Sequence, residues 1–182
     1  MPNFHEHIAT STLSSPSLTL TFTSISQNYT DLEISIVAKA ASSPGQHLYV
    51  TVGNGSYDTG NNYSNQSLYA RGAPAGAVSG DWTSTFAATY YLPFTSYISS
   101  TSNKFSTVKF WIFNYSATDT KKPLMYFSNT VSGNTSEYPS IEGGNGIWNS
   151  LSAINQIKFT HSNPSINFDT GTSISIYGIK KA

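Results

Sequence analysis

The 182-residue chain contains no cysteine, which removes disulfides, thiolate nucleophiles and Cys-ligated zinc together and says little about compartment. It is also short of charge. Asp, Glu, Lys and Arg make up 10% of the residues, nine basic against nine acidic, for a formal net charge of zero. A chain without a net field is not drawn to nucleic acid or to anionic lipid, so neither is expected as a partner. No stretch approaches the roughly 18 apolar residues that a membrane-spanning helix needs. The opening Met1-Pro2-Asn3-Phe4-His5-Glu6-His7-Ile8 lacks the basic stretch and apolar run of a secretory signal. Phosphate loops and dinucleotide fingerprints are missing too. Stability must come from packing or assembly.

What the chain has in abundance is aromatic and small polar residues: twelve Tyr, ten Phe and three Trp stand among many Ser, Thr and Asn. Pleated surfaces favour that mixture. Apolar residues alternate with polar ones in Leu18, Leu20 and Phe22, in Leu32, Ile34 and Ile36, and in Leu48, Val50 and Val52. The segments Thr85 to Tyr91, Val108 to Tyr115, Leu124 to Ser128, Ile154 to Thr160 and Ser173 to Ile179 read as further strands, with a weaker one over Gln66 to Ala70. Turn formers separate them: Ser43-Pro44-Gly45, Gly53-Asn54-Gly55, Gly72-Ala73-Pro74-Ala75-Gly76, Gly143-Gly144-Asn145-Gly146 and Asn163-Pro164. No segment sustains a helical period. The expectation is an all-β fold: one β-sandwich, jelly-roll-like, of about eight or nine strands with long turn-rich loops.

Two segments depart from this pattern. In Val108-Lys109-Phe110-Trp111-Ile112-Phe113 both faces are apolar, so Val108, Phe110 and Ile112 can face the core while Trp111 and Phe113 lie on the other side. That outer pair sits either under a covering loop or in a subunit interface. Residues 1 to 16 are polar, rich in Ser and Thr, and end at Pro16. They read as an N-terminal arm or a frayed terminus ahead of a sandwich domain over 17 to 182; an arm would lie along a neighbour's sheet edge or groove, with Phe4 and Ile8 as anchors.

No constellation for catalysis stands out. There is no Gly-x-Ser-x-Gly elbow, and His5, His7, His47 and His161 are scattered. His5 and His7 would share a strand face, but a metal needs further ligands that are not near them, so no metal and no cofactor are expected. Glu137 and Glu142 lie in a Gly/Ser/Pro-rich stretch and make a weak glycosidase pair. The loop Tyr57-Asp58-Thr59-Gly60-Asn61-Asn62-Tyr63 offers oxygen ligands and two aromatics for calcium or sugar, although Asx turns account for the same residues.

From Phe22-Thr23-Ser24-Ile25-Ser26-Gln27-Asn28-Tyr29-Thr30-Asp31-Leu32 onward the sequence resembles a family of tailed-bacteriophage virion proteins, frequent among phages of cyanobacteria and other aquatic bacteria. The likeness continues in order through Asn62-Tyr63-Ser64, Gly146-Ile147-Trp148-Asn149-Ser150, Ala153-Ile154-Asn155-Gln156-Ile157 and the ending Phe168 to Lys180. Ser26 departs from it, since such proteins tend to have proline there. The resemblance implies a virion structural protein on a jelly-roll-like sandwich, without enzyme activity. A free-standing sandwich of this size suits a capsid decoration, or cement, protein on the outer surface of the head. It would be a homo-oligomer, a trimer, bound to the major capsid protein, with Trp111 and Phe113 covered by a neighbour. The alternative is a tail or fibre component that binds host glycan through Tyr57, Tyr63 and Trp82.

Overall fold

The computed structural model describes residues 4–42, 47–71, 78–87, 90–92, 105–130 and 140–180. Among them thirteen strands run in chain order: β1 (His5–Thr12), β2 (Thr19–Phe22), β3 (Asp31–Ala38), β4 (Leu48–Asn54), β5 (Ser56–Tyr57), β6 (Tyr63–Arg71), β7 (Val78–Ala87), β8 (Tyr90–Leu92), β9 (Ser106–Ile112), β10 (Lys122–Thr130), β11 (Ser140–Trp148), β12 (Gln156–His161) and β13 (Ser173–Ile179). Eight of them form one antiparallel sheet in the order β1-β13-β3-β9-β10-β11-β6-β7; the second sheet runs β2-β12-β4-β5, with β8 also on β4. Strands from the two chain ends interleave: β13 lies between β1 and β3, and β12 between β2 and β4. This is the expected all-β sandwich, with more strands than alternation alone indicated.

Alternation built it. In β3 Leu32, Ile34, Ile36 and Ala38 are fully buried while Asp31, Glu33 and Ser35 are half-buried on the other face, and β9 buries Val108, Phe110 and Ile112 in the same way. The second sheet contributes Leu20, Phe22, Val50, Val52, Ile157 and Phe159 to the same apolar cluster. There the Phe22 and Phe159 rings meet edge to face, centroids 6.3 Å apart.

Three sequence expectations change. Residues 4 to 16 are not a separate arm: His5–Thr12 is the edge strand of the large sheet, paired with β13. A bulge between His7 and Ala9 interrupts the register, and Ile8, Ala9 and Leu13 pack against the core. Hydroxyls continue the pairing outside, Thr10 to Ser175 and Thr12 to Ser173, each at 2.8 Å. Backbone pairing needs no apolar side chain, so a polar segment makes a good exposed edge.

The second change is Gly143-Gly144-Asn145-Gly146, which is strand and not turn. A Cβ on Gly144 would lie 2.5 Å from Cε1 of Tyr126, so glycine here serves close approach of a ring across the strand. The third is the end of the apolar segment, where β9 stops at Ile112 because Asn114 takes a left-handed φ of 53° and donates its N–H to Asp31 Oδ1 at 2.7 Å. The Gly53-Asn54-Gly55 turn is where expected, with Gly55 at φ 76° between β4 and β5. Asn163-Pro164 also turns, Ile166 N–H closing on the Asn163 carbonyl at 3.1 Å. Ser43-Pro44-Gly45 and Gly72 to Gly76 lie outside the described residues.

Candidate assembly surface

The outer face of the large sheet carries large apolar side chains that the fold leaves open. Leu68 is 68% exposed, Phe127 52%, Ile141 48%, Met125 42% and Val37 38%. Strand register places Leu68, Ile141, Met125 and Phe127 on the adjacent strands β6, β11 and β10. One row across the sheet reads Ser35, Lys109, Phe127, Gly143, Leu68, and the rows beside it read Glu33, Trp111, Met125, Asn145, Gln66 and Val37, Thr107, Asn129, Ile141, Ala70. Gly143 leaves a gap in the middle row that the Phe127 ring partly covers, since a Cβ there would lie 3.3 Å from ring Cδ2. The result is a shallow trough of about 460 Å³ over β11, with Leu68 on one wall and Met125 and Phe127 on the other.

A charged corner borders this patch. Lys109 Nζ pairs with Glu33 Oε1, the Trp111 indole N–H donates to Glu33 Oε2 at 3.3 Å, and His5 Nε2 lies 3.7 Å from the same oxygen. Burial alone would raise the Glu33 pKa, but Lys109, His5 and Trp111 together hold the carboxyl below its ordinary value. Trp111 is therefore half-buried and tied to its neighbour strand, on the outer face as expected. Phe113 is half-buried beyond the strand end, its N–H donating to the Pro123 carbonyl at 2.9 Å. Of the two anchors placed on the N-terminal segment, Phe4 is exposed and Ile8 is turned against the core by the bulge.

Segments far apart in the chain are tied to one another by backbone and side-chain hydrogen bonds. Thr30 N–H reaches the Ile179 carbonyl at 2.9 Å, Tyr115 N–H the Thr30 carbonyl at 3.1 Å, Ile154 N–H the Tyr115 carbonyl at 2.8 Å, and Ile25 N–H the Asn155 carbonyl at 2.9 Å. The Tyr29 ring lies over Gly178, and its hydroxyl donates to Glu6 at 2.8 Å. The buried Tyr115 hydroxyl donates to the Ser26 carbonyl, and burial pushes its pKa up to about 12.

The Tyr57–Tyr63 loop is a hydrogen-bonded Asx arrangement. Asp58 accepts from Gly60 N–H at 2.8 Å, from Asn62 Nδ2 at 2.8 Å and from Trp148 Nε1 at 2.7 Å. These bonds outweigh partial burial and hold its carboxyl below the usual range. Tyr63, expected as a glycan contact, is instead a core residue: its hydroxyl takes the Val52 N–H at 3.0 Å and lies 3.1 Å from the Asp58 carbonyl. Tyr57 lines a polar cleft of about 380 Å³ with Asn54, Asp58, Ser150 and Ser152, and Lys158 Nζ stands 4.7 Å from its ring centroid. Trp82 lies on β7 opposite Ser67, in the large sheet and away from β5.

His5 and His7 do share a face, and both rings rest on Tyr177, stacked at 4.8 Å and edge-on at 5.5 Å. Among the described residues no three His, Cys, Asp or Glu side chains are grouped to hold a metal ion. Glu142 faces inward on β11, accepting from the Tyr126 hydroxyl at 2.9 Å, while Glu137 lies outside the described residues. His161 is buried against Phe168, ring centroids 4.1 Å apart, and desolvation lowers its pKa to about 4 despite the nearby His47 carbonyl.

Sequence reasoning singled out Trp111 and Phe113 but missed Leu68, Met125, Phe127 and Ile141. The signal was an apolar residue at both parities of neighbouring strands, which shows only once register is known. Among known proteins, no family model, curated protein or solved structure matches the chain.

Proposed function

We propose that the protein is a non-enzymatic structural component of a phage virion, a capsid decoration protein that reinforces the head by contact through its large-sheet face. The observation that carries this reading is the open apolar patch of Leu68, Met125, Phe127 and Ile141 on the outer face of the large sheet. Contiguous exposed apolar surface on a rigid sheet is what protein–protein contact uses. Two further features support it: a net charge of zero, which suits close packing on a lattice, and the resemblance of the ordered motifs to virion proteins. The sandwich acts as a rigid block, and many copies on a lattice multiply a modest individual affinity.

The test is cosedimentation of the purified protein with heads lacking it, then heat challenge of the decorated particles. Binding at a stoichiometry matching lattice positions, with raised heat resistance, is the expected result; failure to bind heads removes the reading. A second reading, a tail component that binds host glycan, has the polar cleft beside Tyr57 in its favour. It requires few copies per particle and retention on a polysaccharide column that Tyr57→Ala abolishes.

A further inference from the structure

We propose that Asn54-Gly55 is a self-modification site, able to lose ammonia through a succinimide, and that the side-chain amide of Asn155 holds it shut. Nothing in this depends on what the large-sheet face touches. An asparagine followed by glycine is the sequence most open to the reaction, because glycine has no Cβ to obstruct the approach of its own nitrogen. Two such pairs occur in the chain, Asn54-Gly55 and Asn145-Gly146. The fold treats them differently. Asn145 and Gly146 lie in mid-sheet, paired with β10 on one side and β6 on the other, so their extended backbone cannot turn. Asn54 and Gly55 are exposed at the tip between β4 and β5, where Gly55 has φ 76° and a Cβ on it would meet nothing within 4 Å.

In the reaction the Gly55 backbone nitrogen attacks Asn54 Cγ. The N–Cγ bond forms, the Cγ–Nδ2 bond breaks, and ammonia leaves with the proton that Gly55 gives up. Water then opens the ring at either carbonyl, leaving aspartate or isoaspartate. Asn155 opposes the first step at both reacting groups: the Gly55 N–H donates to Asn155 Oδ1 at 3.0 Å, and Asn155 Nδ2 donates to Asn54 Oδ1 at 2.8 Å. A succinimide nitrogen carries no hydrogen, so the first bond must be lost for the ring to close. The second must yield as Cγ swings toward Gly55. Asn155 is itself fixed, its N–H donating to the Gly53 carbonyl at 3.0 Å and its carbonyl accepting from Ile25 N–H at 2.9 Å, directly before Gln156 pairs with Gly53. The clamp therefore belongs to the small sheet and is not a loose side chain. Asn54 lines the polar cleft beside Tyr57 and Asp58. A carboxylate in its place faces a second negative group there and turns a neutral chain into an anion.

The test is to incubate the full chain warm at mildly alkaline pH, digest it, and follow the Asn54 and Asn145 peptides by mass and by isoaspartyl methyltransferase labelling. In the native wild type Asn54 should react roughly 10-fold or more slowly than in denaturant, the factor that two hydrogen bonds supply, and Asn155→Ala should restore most of that rate. The Asn145 peptide is the internal control and should stay unmodified in both folded chains. Asn155→Asp keeps an acceptor for the Gly55 N–H and lets the Asn54 amide turn over to donate, so it should stay close to wild type. The Gly55 amide proton should exchange slowly in the wild type although the turn is exposed. Should Asn155→Ala lose the fold, Asn145 will react alongside Asn54, and that exchange rate decides instead. Equal native and denatured rates at Asn54, a folded Asn155→Ala chain as slow as wild type, or fast exchange at Gly55 overturns the proposal.

Discussion

The two faces of the eight-stranded sheet are made by the same strands from similar residues, yet they meet opposite surroundings. On the inner face Ile34, Phe110 and Ile112 are wholly buried, while on the outer face Leu68, Phe127 and Ile141 remain about half exposed or more. An apolar residue on the inside is explained by the core. One on the outside has no such explanation among the described residues, and the contact surface proposed above rests on that difference.

The sharpest way to break this comparison is to truncate one ring on each face. Phe110→Ala should cost about 3–5 kcal/mol of stability in urea unfolding, because a fully buried ring leaves a cavity. Phe127→Ala in the isolated monomer should stay within about 0.5 kcal/mol. Equal losses would show that the outer ring is part of the monomer's core.

A titration of stability distinguishes the inside again. His161 is held neutral when folded, with a pKa of about 4 against the ordinary 6.5 of the unfolded chain. As pH falls the unfolded state takes up the proton first, so this contribution is intact above pH 6.5 and is lost progressively toward pH 4, by up to about 3 kcal/mol. His161→Leu should flatten the acid limb of the midpoint-versus-pH curve. An unchanged limb would assign acid sensitivity elsewhere.

Within one strand, neighbouring glycines test the same contrast at smaller scale. Gly144→Ala drives a Cβ to within 2.5 Å of the inward Tyr126 ring and should cost about 1–3 kcal/mol. Gly143→Ala meets only the outward Phe127 ring at 3.3 Å, which can swing away, and should change thermal stability by less than about 1 kcal/mol. The smallest effect belongs to the charged corner, where Lys109→Ala should lower stability by no more than about 1 kcal/mol, since that ammonium is half exposed. A larger loss would make Glu33 and Trp111 part of the folding core.

Much of the inner face was readable in advance. Period-two alternation located β2, β3, β4, β10, β12 and β13 and correctly turned Val108, Phe110 and Ile112 inward. The misses share a cause. The glycines at 143, 144 and 146 signal a turn by composition, but Tyr126 and Phe127 lie beside them only because β10 pairs with β11. The polar N-terminal segment shows no apolar period, yet backbone pairing with β13 makes it a strand. Tyr63 looks like a loop aromatic until Val52 and Asp58 surround its hydroxyl.

The sequence by itself determined the class of fold and the inner parity of most strands, because burial of alternate residues is a local property of a pleated chain. It also determined, through its lack of cysteine and net charge, what could not hold or steer the molecule. Only the tertiary structure decided that residues from β10, β11 and β6 share one open patch, and that segments more than a hundred residues apart form one hydrogen-bonded set. Pairing partners in an antiparallel sandwich come from distant parts of the chain. Register is the sum of all those pairings, and no single segment carries it.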